Sequence, residues 1–566
     1  MKRIVIVVCL AVACVGIGWA AYRAAAPAPD SLSKFVPAGP LLYLEAKDFS
    51  GLLHDWNSSA EKRAWLQSDN YEVFSRSRLF LRLKGAGDQF AAAAGLPPDM
   101  DFLSQIAGER SVLALYDIGK LQFLYITYLP SAQSSETKLW QTRAKFEPRN
   151  AGGVDFYVRR DPESQREVAF AVSGDYLLLA TREDLMAGAL QLMAGKPDRT
   201  VETDPWWAQA TAASGKAGDL RMVLDLKTLV PNGYFRTYWV QQNITDLSQY
   251  ASAICDLSRS AKQYREERVL IRKKDPESPA PTEALSAAAD VTRLIPDNAG
   301  VYAAKANPTP EAVVSLLQAK LLAPHSGTVP ASHFAPQMEL TSGEQGSSSD
   351  LETRIDQAPS AASENESAAV LKDLLGKNLP LASLQVQTTD SDSAGVFVRM
   401  HSGIVVASSS DWNEAAVQTA LSEAIRPGMT ASQLGIGWVQ KSGYEQLDGL
   451  SPLYVAVRAK YLMISDDPVL MQSMLTKLNQ KSGRAPLELF AGFRYDRERG
   501  NFERFMQLVD RPTGAASSDS GDRQPQFFSG NIRSLSRALS GVSAERIEVR
   551  SEGGKIHQTV NYEWSP

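Results

Sequence analysis

Cysteine is nearly missing from this chain of 566 residues: there are three, and Cys9 and Cys14 both lie in one apolar N-terminal run. With Cys255 alone in the body, no intrachain disulfide is available there, and stability has to come from core burial, which a chain of this length can supply. No CxxC occurs, and the five histidines (His54, His325, His333, His401 and His557) never fall in HExxH or HxH spacing. The common zinc frameworks are therefore excluded. A GxSxG elbow, a Walker loop and a GxGxxG following a strand are absent as well. Positive charge is not in surplus: 59 basic residues face 64 acidic ones, the formal net charge is -5, and no long basic stripe exists. A nucleic-acid backbone would find no track of phosphate contacts.

What is present is the composition of a folded globular protein, with 44% hydrophobic and 22% charged residues, rather than of a disordered or multispanning one. The length predicts two to four domains. Lys2 and Arg3 precede an uncharged stretch from Ile4 to Tyr22, close to the roughly 20 residues that cross a hydrocarbon core and longer than the roughly 7 to 15 of a cleavable signal. Residues 1–23 thus read as a signal anchor or transmembrane helix, which makes the membrane a partner through Ile4 to Tyr22 and puts the body outside the cytoplasm, on the periplasmic or cell-surface side. Two processed forms compete with the anchor. Ala24 to Ala26 resemble a cleavage site that would release a secreted protein, and Ala11 to Cys14 faintly resemble a lipoprotein box. A stalk follows over 24–34.

The expected organisation is a first lobe over 35–271, a linker over 272–289 and a second lobe over 290–566. The linker is charged and proline-bearing. Residues 323–368 are rich in Ser, Gly, Glu and Pro and read as a low-complexity insertion, with a smaller break near 511–526.

An internal repeat links the two halves. Pro37 and Tyr43 recur at the same separation as Pro296 and Tyr302. Residues 168–190 align without gaps to 453–475, matching Tyr176 with Tyr461, Leu185 with Leu470, Met186 with Met471 and Leu190 with Leu475. Each copy reads as strand, tight turn, buried strand and helix. A looser third copy at 395–421 places its helix caps at Ser408 to Asp411. The stretch from Tyr234 to Glu267, with Tyr250, Ile254 and Leu257 near helical spacing, reads as a helix packed on its own lobe. Two alternating runs around Gly553 and Gly554 predict a closing hairpin.

Candidate chemistry is sparse. SxxK spacing at Ser31 with Lys34 and at Ser135 with Lys138 lacks its partner motifs. Glu183 with Asp184 and Asp466 with Asp467 fall at the repeated helix start, where acidic residues complement the helix dipole. Lys47 and Asp48 fit a strand end and a cap, Trp206 and Trp207 fit a lobe core before they fit a sugar platform, and Cys255 fits a small buried residue. No catalytic, metal or cofactor-binding residue set is predicted, and the balance is against an enzyme.

The anchor, the PAGPLLYLEAKDF opening and the repeated units together resemble an uncharacterised family of bacterial membrane-anchored extracytoplasmic proteins, described as a domain of unknown function. The resemblance covers most of the chain after residue 34. It implies an envelope location and no activity. The fold class expected is α+β: two related lobes, each an antiparallel sheet packed with helices, behind one N-terminal transmembrane helix. The expected function is noncatalytic binding of a protein, lipid or glycan partner. A hydrolase with an unrecognised site and a structural or assembly factor of the envelope are the alternatives.

Overall fold

The computed structural model describes residues 31–236, 247–260, 262–274, 279–322, 361–391, 398–430, 437–448, 452–481, 483–498 and 542–564. Their first ten strands are β1 (Leu42–Ala46), β2 (Ser111–Asp117), β3 (Gln122–Tyr128), β4 (Glu147–Ala151), β5 (Val154–Arg160), β6 (Glu167–Ser173), β7 (Tyr176–Ala180), β8 (Leu220–Leu224), β9 (Tyr250–Arg259) and β10 (Gln263–Arg272). The second ten are β11 (Val301–Ala306), β12 (Pro380–Ser391), β13 (Val398–Ser408), β14 (Gly437–Gln440), β15 (Glu445–Asp448), β16 (Leu453–Arg458), β17 (Tyr461–Ser465), β18 (Leu489–Arg494), β19 (Val542–Glu552) and β20 (Lys555–Trp564).

Every pairing among them is antiparallel. The first ten run in space β4-β5-β6-β7-β3-β2-β1-β8-β9-β10. The second ten run β14-β15-β16-β17-β13-β12-β11-β18-β19-β20, the same order. Registers repeat with the order: Leu42 lies opposite Leu224 as Val301 lies opposite Phe493, and Ala169 opposite Ala180 as Tyr454 opposite Ser465. The halves meet at β10 and β20, paired from Gln263 with Glu563 to Ile271 with Lys555. Antiparallel pairing of equivalent strands places a pseudo-twofold axis at the Glu267–Thr559 pair, normal to the sheet, so equivalent faces of both halves look the same way.

The expectation of two separate sheets is corrected by this seam: the twenty strands form one continuous sheet. The physical reason is that each half alone would leave a ten-residue strand, β10 or β20, as an open edge, and such edges pair. Local alternation reports a strand but not its neighbour. No helix among the described residues is long and apolar enough to cross a membrane. The transmembrane helix and signal anchor are thereby removed from the described architecture, and the segment expected to form them, Ile4 to Tyr22, lies outside the described residues.

Both faces are covered over the two halves. One face carries helices Glu183–Met193 and Pro205–Ala213 in the first half and Thr282–Val291 and Pro468–Thr476 in the second. The other carries Arg78–Ala94 and Met100–Ile106, then Pro310–Leu317, Ala361–Lys377 and Glu414–Thr430. Tyr43 on β1 is fully buried, with Trp207 edge-on at 4.4 Å between ring centroids. The helix starts are chemically specified: Ser77 caps the helix beginning at Arg78, and Asp467 accepts the Leu470 amide at 2.7 Å.

Three further expectations change. The helix expected over Tyr234 to Glu267 is largely the hairpin β9–β10, in which Ser252, Ile254 and Asp256 are buried in alternation. Apolar residues spaced three and four apart suit a helix, but the register shift at Arg272 puts Tyr250 on the face of Ala253 and Leu270, opposite Ile254. The linker over 272–289 contains the start of the helix Thr282–Val291, whose Ala284, Ala288 and Ala289 are core residues. The stalk's end is not a stalk, since Leu32 is fully buried in the first-half core. Residues 323–360 of the insertion, and 511–526, lie outside the described residues.

Candidate functional site

The register of the central strands lays side chains in rows across the seam. One row runs Met222 on β8, Cys255 on β9, Arg268 on β10 and Gln558 on β20. The row beside it runs Leu224, Ala253, Leu270 and Ile556. These rows, Ile556 excepted, floor a cavity of about 670 Å³ whose walls come from Leu226, Phe235, Leu247, Gln249 and Tyr250. Asp225 accepts the Thr228 amide and starts the short helix Leu226–Leu229, which turns Leu226 inward. The volume lies in the range of small-molecule sites.

The polar groups in this apolar setting form one cluster. Cys255 Sγ donates to Glu266 Oε1 at 2.8 Å, and Arg268 reaches Glu266 Oε2 at 2.5 Å. Burial, with the Glu266 carboxylate beside it, pushes the Cys255 thiol up to about 12. Burial also works to raise the Glu266 carboxyl, but hydrogen bonds from Arg268 and Cys255 overcome it and hold it below its ordinary value. Arg268 is held more firmly protonated by its bond to Glu266. Towards β19, burial raises both Glu545 and Tyr562, which face each other across β19 and β20. A thiol this reluctant to ionise is a poor nucleophile.

Cys255 therefore lines a cavity rather than filling a core. The remaining sequence candidates are placed in structural roles. Ser135 Oγ donates to the Ser131 carbonyl while Lys138 bonds Asp101, so this pair is not a nucleophile and its base. Lys34 lies 5.6 Å from the Phe35 ring centroid, and Ser31 bonds Ser33. Asp48 caps its helix through the Gly51 amide, and Lys47 donates to the Ala217 carbonyl. Glu183 and Asp184 sit in a first helical turn, and Asp466 accepts the Ser402 amide. The cap of the helix Glu414–Thr430 is Asn413, which accepts the Ala416 amide, and not Ser408 to Asp411. Trp206 packs edge-on against buried Trp207. His401 lies 3.6 Å from Asp390 and 3.9 Å from Asp466. His325 and His333 lie outside the described residues. No group of three or more metal-ligating side chains occurs among the described residues.

The cavity was not legible as a site, because Glu266, Arg268 and Gln558 are brought together by a pairing across 290 positions of chain. The charged run EER at 266–268 overlaps the stretch whose spacing suggests a helix, so it gives no strand signal.

No family model and no curated protein matches this chain. Among solved structures it is similar to the protein TP0453 in crystal form I, at 11% identity over 44% of this chain and 82% of that one, with a TM-score of 0.24. Crystal form IV of the same protein gives 12% identity, 42% and 79% coverage and the same TM-score. At that score the likeness supports no statement about the fold or function of this chain.

Proposed function

We propose that this chain is a noncatalytic binding protein that works outside the cytoplasm and holds a lipid-like ligand, with an apolar body and a hydrogen-bonding head, in the cavity beside the seam. The observation that carries this reading is the cavity's construction: a floor and walls mostly of Met, Leu, Ala, Phe and Tyr side chains around the Cys255–Glu266–Arg268 cluster and the Gln249 and Gln558 amides. Apolar walls hold a hydrocarbon, and a few convergent polar groups orient its head. A glycan reading has less support, since the Trp206–Trp207 pair that could have stacked on a sugar is used in packing. The order of Lys2 and Arg3 before an apolar run supports the location.

The test is saturable binding of the uncharged fluorescent probe N-phenyl-1-naphthylamine to the full chain, compared with Ala253→Trp, which puts an indole on the cavity floor. Binding weakened at least tenfold in the variant is expected. Equal binding by both proteins, or none by either, overturns the proposal.

A further inference from the structure

Away from the cavity, three elements of the first half bring two guanidinium groups together. Arg82 lies on the helix Arg78–Ala94, and Arg166 stands immediately before β6. The turn joining β2 to β3 supplies the carbonyls between them. Arg82 donates to the Gly119 carbonyl, and Arg166 to the Lys120 carbonyl at 2.7 Å, the Leu121 carbonyl at 3.5 Å and Gln89 Oε1 at 3.2 Å. Each acceptor is neutral. Among the described residues neither arginine forms an ion pair with a carboxylate, although the Asp117 charge is near Arg166.

This arrangement is unusual for half-buried arginines, which are ordinarily found against carboxylates. Among the described residues, Arg82 Nε is buried and has no hydrogen-bond acceptor. A guanidinium carries five N–H donors in a fixed fork, and the bonds above occupy one nitrogen of Arg82 and two of Arg166. Burial and the Arg82 charge together hold the Arg166 guanidinium below its ordinary value, against the opposing charge of Asp117, the direction expected where a like charge outweighs the counter-charge. The Arg82 guanidinium also lies 6.0 Å from the Tyr234 ring centroid.

We infer that Arg82 and Arg166 form a binding site for a phosphate-type oxyanion, which would accept hydrogen bonds from the terminal N–H groups that the turn carbonyls and Gln89 leave unused. Guanidinium forks recognise the oxygens of a tetrahedral anion through paired N–H bonds. The same chemistry is offered by free phosphate and by a phospholipid headgroup, and the inference does not depend on the cavity beside the seam.

The experiment uses the full chain and two probes. Inorganic phosphate is titrated against chloride at matched ionic strength, read by calorimetry and by the unfolding midpoint. Vesicles of phosphatidylcholine, with and without phosphatidic acid, are used in flotation. Phosphate binding with a midpoint rise of about 2 to 4 °C identifies a free-anion site, whereas flotation only with phosphatidic acid identifies a headgroup site. In either case Arg166→Gln should weaken binding at least tenfold, and Arg82→Lys, which keeps the charge and loses the fork, should weaken it less. If neither probe binds the unmodified chain, or if binding survives both Arg166→Gln and Arg82→Gln, the inference is wrong. The titration of the unmodified chain decides the matter even should a variant fail to fold.

Discussion

The Cys255 thiol offers a quantitative check on the noncatalytic reading. An ordinary thiol ionises near 9.0, and here burial and the Glu266 carboxylate push the value to about 12. At about pH 8 the thiolate fraction should therefore be about one in ten thousand instead of about one in ten, a factor of about a thousand. Cys9→Ser and Cys14→Ser leave Cys255 as the single target. Its alkylation by iodoacetamide, followed by mass spectrometry, should be about a thousandfold slower in the folded chain than in concentrated urea. Restricted access also slows alkylation, so the pH profile separates the two causes: steric protection alone keeps the midpoint near 9, while a raised value makes the rate climb through about pH 11. Glu266→Gln removes the carboxylate and should restore about a tenfold higher rate. Stability follows with a definite sign. The folded value exceeds the unfolded one, so this contribution is fully present below about pH 9 and is lost as pH rises towards about 12. Because Cys255 is only half-buried, the loss at about pH 10 should stay below about 1 kcal/mol. A native alkylation rate within tenfold of the urea rate at about pH 8 would falsify the electrostatic account of the site.

Other parts of the structure give sharper changes in stability. Arg221 makes a two-point ion pair with Asp256, whose side chain is nearly sealed from solvent. Arg221→Met should cost about 3 to 5 kcal/mol in urea titration, because a buried carboxylate loses its partner, and a cost under about 1 kcal/mol contradicts the geometry. Thr559 sits mid-strand in β20, between Glu267 and Glu548. Thr559→Pro should destabilise the seam by about 3 kcal/mol or more and expand the particle in small-angle scattering, whereas an unchanged profile argues against a single sheet. Asp467→Ala removes a cap and should lower stability by about 1 kcal/mol, with no change expected at Asp411→Ala.

Much of the local architecture is legible in sequence because it is written in short periods. The stretch from Val168 to Leu190 alternates, turns at Gly174, whose φ is positive, and then enters a helix with acidic residues in its first turn. The closing hairpin is marked by Gly553 and Gly554, both with positive φ. What escapes a reading of this kind is pairing at long range and alternation that carries charge. In β9 and β10 the buried positions include Ser252 and Asp256, and charged residues such as Arg268 face the cavity. Hydrophobic periodicity is therefore blurred where the site is built. The seam leaves no local trace either, since any alternating edge strand has the same pattern whether it faces water or a second edge.

The duplication explains why the charged cluster of the cavity belongs to one half. Registers identify equivalent pairs without ambiguity: Arg268 lies opposite Cys255 as Val560 lies opposite Ile547, and Glu266 opposite Leu257 as Gln558 opposite Val549. At the positions that hold the core the two copies agree, with Tyr43 and Tyr302, Leu185 and Leu470, Met186 and Met471, and Leu190 and Leu475 in matching places. In the middle of the sheet they part. Cys255, Glu266 and Arg268 correspond to Ile547, Gln558 and Val560, so two ionisable groups and a thiol stand where the other copy has two aliphatic side chains and an amide. Folding does not require the charges, because the second copy forms the same ladder without them. A buried charged cluster that the fold can do without costs desolvation energy, and the way to offset that cost is an interaction the fold alone does not make. Under the proposed function that interaction is with the ligand's head, at Arg268 and Gln558. Glu266→Gln with Arg268→Val, the second copy's chemistry installed in the first, should leave stability unchanged or raise it while weakening ligand binding. A double variant that lost stability and kept binding would mean that the cluster serves the fold.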